Sequence, residues 1–364
     1  MKKMIFHYSG QLYDVQDTGE KKRPSKMIEA FREIGFQVET VTGTLDERKM
    51  ALGTIKKCIN EFSFLYSESS SIPLMLSSDS HVPLLNGPDI ELFRLCKKAK
   101  LPCGVFYRDI YWRYSSFSKT VGMLKHILSV PFYIHELFVY KKYMDCVFVP
   151  SQRFAEKVPI ISKEKMMTLP PGCDIPENLS VKSSKNKDTV LRLLYVGSVA
   201  PPIYDISAIL DYVSGKASTQ MELTIVTRRP EWGKYSSRYR LADNVKVMHV
   251  SGDKLKALYE NSDLFLICLK NDKYRELCMP LKLFEAFGNL LPVLSCGDNA
   301  VSDFVEKHQI GWAENNIEDA YATLDSLAGN RDEIQRLKAE LPAIIKENTW
   351  KTRAEKVEKT LGRR

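Results

Sequence analysis

The amino-acid sequence predicts an α/β protein of two Rossmann-like, doubly wound domains facing a cleft. Three observations predict it. Short apolar runs alternate with helix-patterned stretches along both halves, the pattern of parallel strands joined by crossover helices. The alternation breaks at residues 176–189, which are rich in Ser, Lys and Asn and nearly devoid of apolar side chains. At 364 residues the chain is long for one core and comfortable for two.

In the first half, residues 3–7 read as a strand, followed by a polar loop holding Ser9, Gly10 and Gly19. Residues 24–34 have helical periodicity and end at Gly35, a good residue just past a helix. Residues 36–41, 62–66, 101–107 and 145–150 supply further strands, and Leu169-Pro170-Pro171-Gly172-Cys173-Asp174 is a rigid turn. The second half restarts with a strand at 191–196. Strands follow at 222–227, 245–250, 263–269 and 291–295, and helices at 205–213, 253–261, 281–288 and near 317–327. Residues 331–364 are charged and helical with an apolar stripe. The expected domains are 1–172 and 190–346, with a linker at 173–189.

Composition narrows the function classes. With 44% hydrophobic and 27% charged residues, the chain is an ordinary globular protein. The net charge of +8 is either a Lys-rich solvated surface or attraction to something anionic, such as a phosphorylated substrate or an acidic membrane surface. Nucleic acid is not expected as a partner, because there is no basic helix, zinc spacing or single-strand stacking signature. The eight Cys form no C-x-x-C pair and read as free thiols of a reducing compartment. Met1-Lys2-Lys3-Met4-Ile5-Phe6 runs straight into a strand without a leader-like segment. Residues 121–140 are apolar but interrupted by Lys125, His126, Pro131, His135 and Glu136, which argues against a bilayer span. The expected location is cytoplasmic, either free or at the inner face of a membrane.

Ligands of open α/β sheets bind beyond the carboxyl ends of the strands, so the loops there hold the candidates. Met279-Pro280-Leu281-Lys282-Leu283-Phe284-Glu285-Ala286-Phe287 lies between two strands. Lys282 and Glu285, at i and i+3, share one face of a first helical turn, where free N–H groups and the helix dipole suit a diphosphate. The Lys can meet a phosphate and the Glu can accept from ribose hydroxyls. The same spacing is that of a plain surface ion pair, but the apolar neighbours mark a mostly buried helix, where a Glu needs a partner. Arg228 follows the strand at 222–227 with Arg229 and can clamp a diphosphate or simply face solvent. Gly197 and Ser198 close the strand at 191–196, where a Gly permits close approach of a ligand.

In the first half, Asp109 sits where a strand ends. It is either a base that accepts a proton from an attacking hydroxyl or a helix cap. Tyr111 and Trp112 beside it can stack on sugar faces. Ser9 and Gly10 can offer backbone N–H groups to a phosphate or acceptor, or form an ordinary polar loop. Residues 117–143 mix Lys119, Lys125, Lys141 and Lys142 with large apolar side chains, either as core helices with snorkelling Lys or as a patch resting on an anionic bilayer. Neither first strand is followed by G-x-G-x-x-G, which argues against a dinucleotide-binding dehydrogenase, and the lack of G-x-x-x-x-G-K-[ST] excludes a P-loop ATPase. The His show no metal-ligand spacing and D-x-D is absent, so no metal and no cofactor is expected.

On these residues the chain resembles the GT-B fold glycosyltransferases, specifically those similar to glycosyltransferase family 4. The matching pieces are Met279-Pro280-x-Lys282-x-Phe284-Glu285 with Leu291-Pro292-Val293, Leu194-Tyr195-Val196-Gly197, Val149-Pro150-Ser151 with Leu169-Pro170-Pro171-Gly172-x-Asp174, and Asn348-Thr349-Trp350-Lys351-x-Arg353-Ala354. The resemblance implies a nucleotide diphosphate sugar as donor, UDP- or GDP-linked, bound by the second domain. It implies a saccharide or lipid-linked acceptor on the first. Glu285 would take the ribose, Lys282 and Arg228 the diphosphate, Asp109 the catalytic carboxylate role, and residues 347–364 a helix crossing back to the first domain. Two departures stand out. The acid that many members carry before the Lys motif is Leu277 here, with Glu276 one position off. The usual small residues after the Glu are Phe287, Gly288, Asn289 and Leu290. A nucleotide-sugar epimerase of the same architecture and a non-catalytic binding subunit are the rival readings.

Overall fold

The computed structural model describes residues 2–12, 19–78, 80, 82–176, 190–201, 203–268 and 272–362. They form two compact units, residues 1–172 with 350–364, and residues 173–349. The expected linker residues 177–189 lie outside the described residues. Cys173, expected to open that linker, is buried in the second unit, its amide on the Asn348 carbonyl at 2.8 Å.

The first unit holds strands β1 (Lys2–Tyr8), β2 (Phe36–Val41), β3 (Phe62–Glu68), β4 (Cys103–Phe106), β5 (Cys146–Val149) and β6 (Met166–Thr168). Its helices are α1 (Gly19–Glu33), α2 (Leu45–Cys58), α3 (Pro88–Lys98), α4 (Ser115–Val121), α5 (Met123–Tyr143) and α6 (Gln152–Lys157). The strands are parallel in the order β2-β1-β3-β4-β5-β6. A sheet covered on both faces must be apolar on both, and Cys103–Phe106 and Cys146–Val149 are buried at every position. Local chemistry fixes the helix starts. Thr44 and Glu47 form a reciprocal capping box on α2, and the Ser151 hydroxyl accepts from Phe154 N–H on α6.

The second unit holds β7 (Leu191–Val196), β8 (Met221–Val226), β9 (Val245–Met248), β10 (Leu264–Ile267), β11 (Val293–Cys296) and β12 (Gly311–Glu314). Its helices are α7 (Ser207–Ser214), α8 (Arg229–Tyr235), α9 (Gly252–Asn261), α10 (Leu281–Gly288), α11 (Ala300–His308), α12 (Ile317–Gly329) and α13 (Asp332–Glu347). The parallel order is β12-β11-β10-β7-β8-β9, the doubly wound order of dinucleotide-binding sheets. Chain order reverses between β7 and β10, as it does between β1 and β3 in the first unit, and those reversals are where such sheets leave a crevice.

The last helix, α14 (Trp350–Leu361), belongs to the first unit. Leu361 packs on Gly104 of β4 so closely that a Cβ there would lie 2.8 Å from it. Arg353 donates to the Pro170 and Pro171 carbonyls, each at 3.1 Å, and Lys2 pairs with Glu358 at 2.7 Å.

One buried acid gives the first unit a pH dependence. Glu136 of α5 accepts from the Leu74 amide at 3.1 Å in full burial, and burial pushes its pKa up to about 8. The folded state therefore keeps this proton over a range where the unfolded chain has lost it. Stability is full below the unfolded carboxyl pKa and falls as pH rises from about 4.5 to about 8. Glu136→Gln keeps the acceptor for Leu74 and removes the charge. It should raise the unfolding free energy by about 2–4 kcal/mol at pH 8.5 and leave it nearly unchanged at pH 4, as read by urea titration at the two pH values.

Candidate functional site

The second unit carries the better-defined cluster. Helix α10 follows β10, one of the two strands at the order reversal. Leu283, Phe284, Ala286 and Phe287 face the core, which turns Lys282 and Glu285 to the other side. Pro280 precedes the helix in extended conformation and its carbonyl accepts from Leu283 N–H at 3.2 Å, so the Leu281 and Lys282 amides come before the first bond of the helix. Lys282 Nζ meets Glu285 Oε2 at 2.6 Å, and the hydroxyl of Tyr259, reaching from α9, donates to the same oxygen at 3.3 Å. Burial first, and Glu285 second, push the Tyr259 pKa well up, so this phenol stays a donor. Glu285 is thus held by two donors while remaining part exposed. Gly288 ends the helix against Cys173, whose Cβ would lie 2.8 Å from any side chain placed there. That contact is the physical reason for a Gly at the end of this helix.

Gly197 and Ser198 follow β7, and a residue that sequence reading missed controls them. Glu231, in the first turn of α8, accepts from the Ser198 hydroxyl and from the Val199 amide at 2.8 Å, and its other oxygen takes Arg228 Nη2 at 3.0 Å. Burial would raise its pKa, yet Ser198, Val199 and Arg228 together hold it below the usual carboxylate range. Arg228 is therefore an ion-pair partner with an otherwise exposed side chain. The Gly197 amide is spent on the sheet, donating to Val226 O at 3.0 Å.

Across the order reversal, Arg275 joins the two loops. Its Nη1 donates to Ile203 O at 3.0 Å and its guanidinium lies 5.6 Å from the Tyr204 ring centroid. Neither Glu231 nor Arg275 was legible beforehand, because each bonds a loop more than thirty residues away in sequence. Leu277 is buried and serves the core.

In the first unit, the loop after β1 is pinned from below. Arg48 of α2, fully buried, donates to the carbonyls of Ser9, of Gly43 at 3.2 Å and of Ser77 at 3.1 Å, and lies 3.2 Å from Asp89. Gly10 O accepts from Gly43 N–H at 2.9 Å, and a Cβ on Gly10 would meet the Tyr8 ring at 2.7 Å. The Ser9 hydroxyl points to Ser70 Oγ at 3.4 Å, and Ser69 Oγ accepts from the Arg108 amide at 3.1 Å. Hydroxyls from the ends of β1 and β3 therefore gather at this order reversal.

Asp109 is half-buried, its Oδ1 accepting from Tyr111 N–H at 2.6 Å in an Asx-type turn. The Tyr111 hydroxyl meets Thr120 Oγ1 at 3.0 Å. Trp112 is buried: its Nε1 donates to Tyr107 OH at 3.1 Å and its ring stacks on Tyr133 at 5.4 Å. Its indole packs within this unit. Among the described residues, no group of three or more His, Cys, Asp or Glu side chains converges as a metal site.

No protein-family model matches the chain, and no curated protein matches it in sequence. Its fold matches solved glycosyltransferases end to end. The glycosyltransferase of Rickettsia africae superposes with a TM-score of 0.65 at 12% identity, over 99% of this chain and 98% of that one. HepE of Anabaena, solved in complex with UDP-glucose, gives 0.62 at 11% identity over 98% and 99%. WaaG, a glycosyltransferase involved in lipopolysaccharide biosynthesis, gives 0.56 at 12% identity over 98% and 99%. The chain has the GT-B fold of these proteins: two doubly wound parallel sheets, with the last helix returned to the first unit.

Proposed function

We propose that this chain is a glycosyltransferase. It moves a sugar from a nucleotide diphosphate donor, UDP- or GDP-linked, to a saccharide or lipid-linked acceptor, without a metal, in the synthesis of a cell-surface polysaccharide or glycolipid. One observation carries this reading: the Lys282–Glu285 pair, oriented by Tyr259, on the helix that follows the order-reversal strand β10. Glu285 accepts the ribose hydroxyls. Lys282, with three donors, keeps Glu285 and still meets a phosphate oxygen. The acceptor oxygen bonds to the anomeric carbon as the bond from that carbon to the diphosphate breaks, and the electron pair leaves with the diphosphate. The Lys282 ammonium neutralises that charge. In an inverting reaction the acceptor proton passes to Asp109; in a retaining one Asp109 positions the acceptor. The UDP-glucose held by HepE and the lipopolysaccharide role of WaaG support the donor class and the kind of pathway.

A non-catalytic nucleotide-sugar-binding subunit is the second reading, and the burial of Leu277 favours it. Calorimetry with UDP- and GDP-sugars, then nucleotide release with saccharide and lipid-linked acceptors in the presence of a chelator, separates the two. Binding followed by acceptor-dependent release is expected. Binding without release in any acceptor panel would favour the subunit, and no binding of any donor would remove both readings. An isomerised sugar formed without acceptor would mean an epimerase.

A further inference from the structure

Helix α5 is apolar on two faces, and among the described residues only one of them is covered. Leu137, Val139, Tyr140 and Tyr143 go into the core of the first unit. Met123, Leu124, Ile127, Leu128 and Phe138 are 54–71% exposed. Their spacing, with exposed Pro131 between, places them within one side of the helix, so they form a single strip rather than scattered contacts. Exposed apolar residues scattered singly need no explanation, but a strip of this kind marks an interaction surface. The helix is anchored beneath by Glu136 on Leu74 N–H and by Tyr133, whose hydroxyl donates to Ser71 O at 2.9 Å. The exposed side is therefore a firm surface.

Charge identifies the occupant. Between Ile110 and Met144 the chain carries Arg113, Lys119, Lys125, Lys141 and Lys142, all exposed, and the single acid Glu136, which is buried. Lys141 and Lys142 flank the strip at its end beyond Phe138, and Lys125 borders Leu124 and Leu128. An apolar strip edged by lysines suits a bilayer interface: the aliphatic groups enter the acyl boundary while the ammonium groups reach anionic headgroups. A second copy fits less well, since a two-fold contact through this face sets lysines against lysines. No helix among the described residues is long and apolar enough to cross a membrane.

We propose that the outer face of α5, with α4 beside it, docks the first unit on an anionic lipid surface, lying in the interface without spanning it. This goes beyond the proposed transfer reaction and does not depend on it. The anionic leaflet facing the cytoplasm is the matching surface in a cell.

Flotation with vesicles tests it. The protein is expected to float with vesicles containing phosphatidylglycerol and to stay behind with phosphatidylcholine alone, and the bound fraction should fall as salt rises. Leu124→Glu with Leu128→Glu, and separately Lys141→Glu with Lys142→Glu, should each cut the bound fraction by at least about tenfold. These side chains are exposed, so circular dichroism and the melting temperature should match those of the unaltered protein. Failure of the unaltered protein to float with anionic vesicles overturns the proposal. So does undiminished binding of both variants. Sedimentation velocity adds an independent check: a dimer that Leu124→Glu dissolves would reassign the face to self-association.

Discussion

Glu285→Ala is expected to weaken binding of UDP or GDP by about a hundredfold, with the fold intact. A ribose diol gives a carboxylate two charge-assisted hydrogen bonds, and truncating such an acceptor removes about 1.5–3 kcal/mol per bond. In a part-exposed site the lower end applies, and about 3 kcal/mol is two decades in Kd. Lys282→Ala should cost less, about tenfold, because the ammonium is more exposed than the carboxylate and screened by salt. Glu285→Gln keeps the shape and should fall between. The variants differ in a second respect. Losing Glu285 leaves the buried Tyr259 hydroxyl without its acceptor, worth about 1 kcal/mol of stability, whereas losing Lys282 leaves that contact in place. Calorimetry with the free nucleotide, paired with urea unfolding of each variant, separates binding from folding. An unchanged Kd for Glu285→Ala would detach the nucleotide from α10 altogether.

The same residues mark how far a sequence alone reaches. Strand β7 and helix α10 were legible to the residue. A strand buried on both faces reads as an unbroken apolar run, as Leu193-Leu194-Tyr195-Val196 does, and an amphipathic turn bounded by Pro280 declares its own start. Strands β6 and β12 were not legible. Each is an edge strand with half-exposed positions throughout, so Met166-Met167-Thr168 and Gly311-Trp312-Ala313-Glu314 lack both the apolar run and the alternation. Helix α1 begins at Gly19, five residues before the expected start, with Pro24 inside it. A Pro that near the start of a helix forfeits only one early hydrogen bond, so it failed as a boundary marker. The site divides in the same way. Lys282 and Glu285 are three apart and share a helix face by geometry alone. Ser198 and Glu231 are joined by the register of β7 against β8, and Arg275 meets Ile203 across the order reversal, which no periodicity records. Trp112 had the composition of a sugar platform, and only the packing of Tyr133 reveals it as core.

Arg48→Ala should be the most destabilising of the substitutions considered, lowering the unfolding free energy by about 3–5 kcal/mol. The guanidinium is wholly buried. It bonds the carbonyls of Ser9, Gly43 and Ser77 and the hydroxyl of Ser77, and it lies beside Asp89, itself buried and bonded to His7 Nε2 at 2.8 Å. Removing it leaves the buried Asp89 carboxylate to His7 and Ser77 alone and takes a donor from three carbonyls, which costs more than the net worth of the contacts themselves. Arg48→Lys should recover little, because an ammonium cannot span the fork of acceptors. Asp89 reports on the network through pH. Burial would raise its pKa, yet His7, Arg48 and Ser77 hold it below the usual carboxylate range. It therefore contributes stability above the unfolded carboxyl pKa, about 4, and that contribution is lost as pH falls further. Urea titrations should show this acid loss in the unaltered protein and not in Asp89→Asn. A folded Arg48→Ala protein of near-normal stability would mean that the loop after β1 is held by its own backbone contact, Gly43 N–H to Gly10 O, with the buried cation incidental to it.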